Sequence, residues 1–172
     1  DVLFIDTTGE FRPERILEIV KNRNMRDSLL DNLKVARVTN TTEQINFLEK
    51  IKNFKNLSLV IIDNIADLFS FEYSKKEQFM EKYTNFMKYM YTLSLIALKK
   101  EIPIVVTNQL LKKQDTEYEK LDFVMNHFIH QRIKLKKIKN YYQGEVYHPF
   151  TNNQQFCYNF GPSGIVEQSE SI

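Results

Sequence analysis

The stretch VLFIDTTGEFRPER, residues 2–15, decides the fold. Apolar residues run from Val2 to Ile5 and end at Asp6, a pattern typical of a buried strand in a parallel sheet. A glycine-containing acidic turn follows, and Pro13 suits the first turn of a helix. Residues 2–15 therefore predict a strand, a turn and a helix in that order.

Composition indicates one globular domain with a real core. The chain has 172 residues, 42% of them hydrophobic and 27% charged, which is ordinary for a globular protein. The formal net charge is only +2, so any binding of nucleic acid depends on local basic patches. The one cysteine, Cys157, excludes an internal disulfide and is typical of a reducing compartment. No apolar run approaches the ~18 residues of a membrane span. Asp1 already lies in the strand pattern, and we expect that this chain is a fragment of a longer protein whose upstream part is missing here.

Strand and helix patterns alternate along most of the chain. Further strands are predicted at Leu33–Val38, Leu57–Ile62 and Ile102–Thr107, and helices at Thr42–Ile51, with Thr42 as its cap, and Glu77–Lys100. A polar stretch covers Lys112–Lys120; a hairpin of Arg132–Ile138 and Glu145–Tyr147 turns at Asn140-Tyr141, and Gln155–Phe160 adds a last strand. This order predicts an α/β fold, a mostly parallel sheet flanked by helices with an antiparallel C-terminal hairpin extension.

Polar groups follow three of the predicted strands. They are Asp6-Thr7-Thr8, Asp63-Asn64 and Thr107-Asn108-Gln109. Ligands of open α/β sheets bind at the carboxyl ends of strands. Asp63, after four apolar residues, suits a Mg²⁺ ion held beside nucleotide phosphates. The alternative is that Asp simply ends the strand, because Asp favours turns.

Six segments in order resemble the RecA/RadA-like recombinases, most of all a divergent recombinase paralogue. They are Ile5-Asp6-Thr7-x-Gly9 with Phe11–Arg15, Val35–Thr41, Leu59–Asp63 with Ala66–Phe69, Ile104–Gln109, His127 with Arg132, and Phe160–Ile165. The Phe-Arg-Pro-Glu-Arg and Thr-Asn-Gln signals are the most specific. The resemblance implies a RecA-like twisted sheet, with residues 1–166 as part of an ATPase core and 167–172 as a flexible tail.

The resemblance also implies ligands, partners and location. We expect ATP and Mg²⁺ as cofactors only if the full-length protein contains the phosphate-binding P-loop of the family. We expect single-stranded DNA and recombinase or recombinase-paralogue proteins as partners, in a hetero-oligomer, with no membrane contact. The location would be nuclear if the organism is eukaryotic and cytoplasmic otherwise.

Two departures from the family pattern limit hydrolysis. The P-loop, Gly-x-x-x-x-Gly-Lys-Ser/Thr, is absent from these residues, and its backbone and lysine cradle phosphates; we expect it just upstream of Asp1. The catalytic glutamate of the family falls at Thr8, which cannot act as a carboxylate base. Glu10 is the candidate replacement, although misplacement by one turn position can cost ~100-fold in rate.

Other nucleotide-site roles carry over by resemblance. Arg15 matches an arginine on the adenine ring, Gln109 a glutamine that senses the γ-phosphate, and His127 a residue at the nucleotide across a protomer interface. The alternatives are a solvated helix arginine, a capped strand end and a structural or exposed histidine.

Two loops of the family bind DNA. The first falls at Ser70–Lys76, with Lys75 and Lys76; the second falls at about Leu111–Asn126, with Lys112 and Lys113. The second has no glycine and a balanced charge, which predicts a more helical replacement. Arg132 begins a strand with one basic face, suited to phosphates or simply solvated.

Three functions remain open from the sequence. The first is an accessory paralogue in homologous recombination, with weak or absent ATP hydrolysis. The second is an active, filament-forming strand-exchange recombinase. The third is a scaffold whose nucleotide site has decayed.

Overall fold

A computed structural model describes residues 1–114, 116–147 and 154–168, without the side chain of Lys113. The described residues divide into two compact units. The first unit comprises Asp1–Phe11 and Asp31–Phe128; the second comprises Arg12–Leu30 and the described residues from Ile129 onward.

The elements follow one another in the predicted alternation. The helices are α1 (Pro13–Asn22), α2 (Thr41–Asn53), α3 (Asp67–Glu72), α4 (Phe79–Lys100) and α5 (Asp122–Phe128). The strands are β1 (Val2–Asp6), β2 (Leu33–Arg37), β3 (Leu59–Asp63), β4 (Ile104–Val106), β5 (Leu110–Lys113), β6 (Thr116–Glu119), β7 (Arg132–Ile138), β8 (Tyr141–Tyr147), β9 (Gln154–Gly161) and β10 (Gly164–Glu167). Short 3-10 helices cover Asp27–Asn32 and Lys76–Gln78.

The first unit contains a parallel sheet of order β2-β1-β3-β4. Register places Asp6 opposite both Arg37 and Asp63, so three strands end side by side. The inward residues of β1 and β3 alternate with period two, as the pleat requires, and Leu3, Ile5, Val60 and Ile62 are buried. The parallel sheet and its flanking helices confirm the predicted α/β fold.

Helix α4 supplies much of the apolar core of the first unit. Its buried residues are Phe86, Tyr89, Met90, Leu93 and Ile96. The Phe69 ring of α3 packs edge-on against Phe86, with centroids 5.1 Å apart. Burial of each such side chain contributes roughly 1.5–3 kcal/mol.

The second unit contains an antiparallel sheet of order β10-β9-β8-β7. The hairpin of β7 and β8 confirms that a hairpin forms here, but β8 begins at Tyr141 rather than Glu145, and the turn is Lys139-Asn140, with Lys139 at φ 38°. The Phe156 ring covers Gly144, where a Cβ would come within 2.1 Å of the ring. Helix α1 is tied to the turn between β9 and β10, because Arg15 donates to the Gly161 carbonyl (2.5 Å) and Arg23 to the Ser163 carbonyl (2.7 Å).

Three element predictions were wrong in detail. The cap of α2 is Asn40 rather than Thr42, because the Asn40 side chain accepts from the Glu43 N–H at 2.8 Å. Glu77 lies in a 3-10 turn, and α4 begins at Phe79. The polar stretch Lys112–Lys120 is largely the hairpin of β5 and β6, in which Lys112 stands opposite Glu117.

The predicted boundary after residue 166 stays a prediction. Glu167 belongs to β10, and the Gln168 N–H donates to the Cys157 carbonyl at 3.0 Å. Residues 169–172 of the predicted tail lie outside the described residues. Within the described part of the chain, no helix is long and apolar enough to span a membrane.

Candidate functional site

Asp6 organises the loop that leaves β1. Its Oδ1 accepts from the Gly9 N–H at 2.7 Å, from the Thr8 N–H at 3.0 Å and from the Thr8 hydroxyl at 3.2 Å. Its Oδ2 accepts from the Phe11 N–H at 3.4 Å. Only 5% of Asp6 is exposed. Asp side chains commonly bond backbone N–H groups two residues on in this way, and here the bonds fix the loop from Asp6 to Phe11.

Arg37 completes this loop from the neighbouring strand. Its guanidinium donates to Asp6 Oδ1 at 3.2 Å, a charge-assisted bond made possible by the register of β1 and β2. Gly9 has φ 82°, and a Cβ there would lie 2.9 Å from Arg37 Nη2. The Asp6 carboxylate is therefore committed to holding the loop.

Thr7 and Asn64 join the ends of β1 and β3. The Thr7 hydroxyl donates to the Asn64 carbonyl and accepts from the Asn64 N–H, both at 2.7 Å. The Thr7 N–H donates to the Asp63 carbonyl, also at 2.7 Å. Both side chains are buried, and these bonds hold Asp63 at a fixed place beside the loop from Asp6 to Phe11.

Asp63 lies beside the end of β4. Its Oδ1 accepts from the Thr107 hydroxyl at 2.5 Å, and the Ile65 N–H donates to the Thr107 carbonyl at 3.0 Å. Gln109 follows two residues later and is exposed. The structure thus brings Asp63 together with the Thr107–Gln109 segment, as the pattern of strand ends predicts.

The donor set at Asp63 fits a shared magnesium site rather than a protein-only one. Among the described residues, no group of three or more His, Cys, Asp or Glu side chains could hold a metal. Mg²⁺ in nucleotide sites usually takes one or two carboxylates and completes its shell with water and phosphate oxygens. Asp63 suits the role of the single carboxylate, and water and phosphates would have to supply the remaining oxygens of the shell.

Thr8 occupies the position predicted for the catalytic base. Its hydroxyl is turned to Asp6, and it accepts from the Glu10 N–H at 3.3 Å. Glu10 itself is exposed. The loop geometry therefore places a hydroxyl, not a carboxylate, directly after Thr7, and the catalytic role of Glu10 stays a prediction.

The other two nucleotide-site candidates lie elsewhere on the chain. Arg15 belongs to the second unit, where its guanidinium also donates to Glu18 at 2.5 Å. His127 lies on α5; its Nδ1 is 2.7 Å from the Phe123 carbonyl, and its ring packs edge-on against the Phe123 ring at 5.2 Å. Nothing in these contacts tests a nucleotide role for either residue.

The first predicted DNA loop is partly helical. Ser70 to Glu72 form the end of α3, and the Glu72 carboxylate accepts from the N–H and the hydroxyl of Thr41. Lys75 and Lys76 are exposed after the helix. Glu72, the acidic residue of this loop, is thus bound to Thr41.

The second predicted DNA loop is only partly helical, which corrects the expectation. Leu110–Lys113 and Thr116–Glu119 pair as β5 and β6, and among the described residues of this loop only those of α5 are helical. Lys112 is exposed. Lys120 forms an ion pair with Asp67 of α3, with Nζ and Oδ1 2.8 Å apart. The Lys113 side chain and Asp115 lie outside the described residues.

Strand β7 has the predicted alternation. Ile133 and Leu135 are exposed and alternate with Arg132, Lys134 and Lys136. The basic residues therefore share one face of the strand, and the DNA role of Arg132 stays a prediction.

Comparison with known proteins identifies the family. The sequence model of the Rad51 family matches residues 1–166. The chain belongs to the Rad51 family. This confirms the resemblance to the RecA/RadA-like recombinases.

Archaeal members of the Rad51 family are similar to this chain over two thirds of its length. The protein named DNA repair and recombination protein RadA from Methanococcus voltae is 35% identical over 118 residues, 66% of this chain and 37% of its own. RadA from Methanococcus maripaludis strain C6 is 36% identical over 118 residues. RadA from Cenarchaeum symbiosum is 34% identical over 119 residues, 67% of this chain and 30% of its own. The chain thus spans about a third of the length of these curated relatives.

Two contacts at the site escaped sequence reasoning. The bond from Arg37 to Asp6 follows from strand register, because both residues end neighbouring parallel strands. The only available signal was their shared position after apolar runs. The contact between Glu72 and Thr41 joins α3 to the start of α2 and left no local signal.

Proposed function

We propose that this Rad51-family chain is part of an accessory recombinase-like protein that acts in DNA repair by homologous recombination. It binds single-stranded DNA and partner recombinase or recombinase-paralogue proteins, and it hydrolyses ATP weakly or not at all. The protein acts in the nucleus if its organism is eukaryotic and in the cytoplasm otherwise.

One observation carries the proposal of weak hydrolysis. The Thr8 hydroxyl donates to Asp6 at 3.2 Å and sits in a loop fixed by three backbone bonds to the same carboxylate. A threonine in that setting cannot take a proton from water as a carboxylate can. Glu10 is two residues further and exposed, and a small displacement of a catalytic group can cost ~100-fold in rate.

The nucleotide still has a role in this proposal. Asp63 would hold Mg²⁺ through water, and the ion would neutralise charge on the ATP phosphates. Gln109, two residues after Thr107, senses whether the γ-phosphate of the nucleotide is present. The phosphate cradle has to come from a P-loop, which these residues do not contain.

The deciding experiment measures ATP binding and turnover of the full-length gene product, with and without single-stranded DNA. We expect binding with little turnover, and no binding in Asp63→Ala if Asp63 holds the ion. Thr8→Glu should raise turnover at least ~10-fold, because it restores a carboxylate base. Glu10→Gln is the matched control and should change turnover little.

The second candidate function is the active strand-exchange recombinase, and Glu10 is the observation that favours it. Robust DNA-stimulated turnover in the unmodified protein, abolished by Glu10→Gln, would establish that function instead. A scaffold role predicts nucleotide-independent complexes with recombinase or paralogue proteins. Co-purification with and without ATP therefore separates the scaffold from the accessory paralogue.

A further inference from the structure

Helix α4 carries two apolar stripes, and only one of them enters the core. The buried stripe runs from Phe86 to Ile96. On the opposite side, Met80, Met87, Tyr91 and Leu98 are exposed, with Met80 at 71% and Leu98 at 73%. Their spacings of seven, four and seven residues are those of a helix–helix seam. A contiguous exposed apolar stripe of this kind marks a protein contact.

An apolar groove lies beside the N-terminal half of the exposed stripe, between α4 and α5. Phe123 and Phe128 of α5 form one wall, and α4 residues from Phe79 to Tyr91 form the other. Its volume is about 760 Å³, and Lys88 is the one charged residue among its lining. Large apolar side chains fit such a groove, whereas a charged ligand does not.

Along the sequence of α4, the residues of the exposed side are arranged nearly symmetrically about position 89. Met80 and Leu98 lie nine residues to either side, Thr84 and Ser94 five residues, and Met87 and Tyr91 two residues. An antiparallel second helix centred on the same residue therefore sets long side chains against long ones and hydroxyls against each other. A two-fold interface requires this self-complementarity.

The flanking charges are complementary under the same pairing. Glu81 and Lys99 are both exposed, and their separation of 18 residues is about five helical turns, so they share one flank of α4. In the antiparallel pair, Glu81 of each copy lies beside Lys99 of the other. Lys88 of both copies lies near the axis and weakens the pair at its centre.

We propose that a second copy of this chain docks on this face, α4 against α4 and antiparallel, with the two-fold axis crossing the exposed face at the level of Tyr89, whose own side chain is buried on the opposite side. Tyr91 and Leu98 of the second copy fill the groove between α4 and α5. This pairing does not depend on ATP hydrolysis or DNA binding, so it stands or fails separately from the proposed function.

Cross-linking tests the orientation of the pair. The full-length gene product carries Cys157→Ser, with serine also in place of any cysteine outside residues 1–172, and Met80→Cys and Leu98→Cys are made separately in that background. Mixing the two single-cysteine proteins under mild oxidation should give a disulfide-linked dimer, whereas each alone should give at least ~10-fold less. Equal cross-linking of like positions, or none in the mixture, would overturn the antiparallel pairing.

A charge exchange tests the flank. Glu81→Lys alone should weaken the dimer measured by sedimentation equilibrium by about 10-fold, because two surface pairs change from attraction to repulsion. Glu81→Lys with Lys99→Glu should restore the dissociation constant to within about 3-fold. A double variant as weak as the single one would contradict the proposed contact.

An apolar-to-charged change tests the groove. Leu98→Glu should abolish the dimer, and Leu135→Glu, the same change at another exposed leucine on β7, should leave it unchanged. Circular dichroism checks that both variants fold. A monomer at ~100 μM in the unmodified protein, or an oligomer indifferent to Leu98→Glu, would overturn the proposal and leave the stripe to a different partner.

Discussion

Gly9 is the residue on which the loop after β1 depends most directly. Its φ of 82° lies in the left-handed region, and a side chain there would press on the Arg37 guanidinium. Gly9→Ala should therefore lower the free energy of unfolding by about 1–2 kcal/mol, as measured by urea denaturation. Gly161→Ala is the matched control, since its φ is not positive and its new Cβ would lie 3.3 Å from Val166 Cγ2. An equal loss in both would show that backbone strain at Gly9 is not the cause.

Tyr89 gives a pH dependence at the residue scale. Burial raises the pKa of its hydroxyl above the usual value of about 10, and Gln44 offsets this only in part. The folded state therefore holds the proton to higher pH than the unfolded state does. The resulting stabilisation is complete below the unfolded pKa of about 10 and is lost as pH rises above it.

The matching variant is Tyr89→Phe. Its free energy of unfolding should fall less steeply above pH 10 than that of the unmodified protein. At neutral pH the change should be small, because among the described residues no hydrogen bond of ordinary geometry reaches the Tyr89 hydroxyl, so its interaction with nearby Gln44 is weak. Tyr118→Phe, at an exposed tyrosine, is the control and should leave the alkaline limb unchanged. A parallel fall in all three proteins would contradict the assignment.

At the scale of elements, α2 shows how a helix start is fixed. Asn40 caps Glu43, and the Glu43 carboxylate reaches back to the N–H and hydroxyl of Thr39 at 2.9 and 3.0 Å. Asn40→Ala should cost about 1 kcal/mol in urea denaturation. Asn53→Ala at the other end of α2 removes no such cap and should cost much less. If both variants lost the same free energy of unfolding, the loss would come from replacing asparagine by alanine in general and not from the missing cap.

Sequence patterns predicted the elements whose apolar residues recur regularly. They failed where contacts between residues far apart in sequence determine the structure. The apolar runs that became β1 and β3 can be read directly, because one face of each strand is buried and the other is half-buried, which favours apolar residues at successive positions. Lys112–Lys120 has no such run, and its hairpin rests on cross-strand pairs such as Leu111 with Tyr118. Asp63 was predicted as a site residue because strand ends meet at one edge. The bond from Lys120 to Asp67 was not, since it joins residues 53 positions apart.

At the scale of the whole molecule, any contact with DNA would have to be local, because the net charge is only +2. Lys75 and Lys76 are exposed, and Glu72 beside them is bound to Thr41, so this basic pair is the most available part of the first loop. Lys120 of the second loop is paired with Asp67 and contributes less net charge. We therefore expect Lys75 and Lys76 to contact single-stranded DNA phosphates.

Salt dependence tests this expectation quantitatively. Replacing both lysines by alanine should weaken binding of single-stranded DNA to the full-length gene product and reduce the slope of log K against log salt by about 1.4, since each single-strand phosphate contact contributes about 0.7. Fluorescence anisotropy between about 50 and 200 mM salt measures that slope. Lys21→Ala with Lys55→Ala removes the same charge at two exposed lysines outside both loops and should leave the slope unchanged. If the slope falls by the same amount in both double variants, binding depends on the net charge of the protein and not on these two lysines. If only Arg132→Ala lowers it, the phosphates lie along β7 instead, and the first loop does not contact DNA.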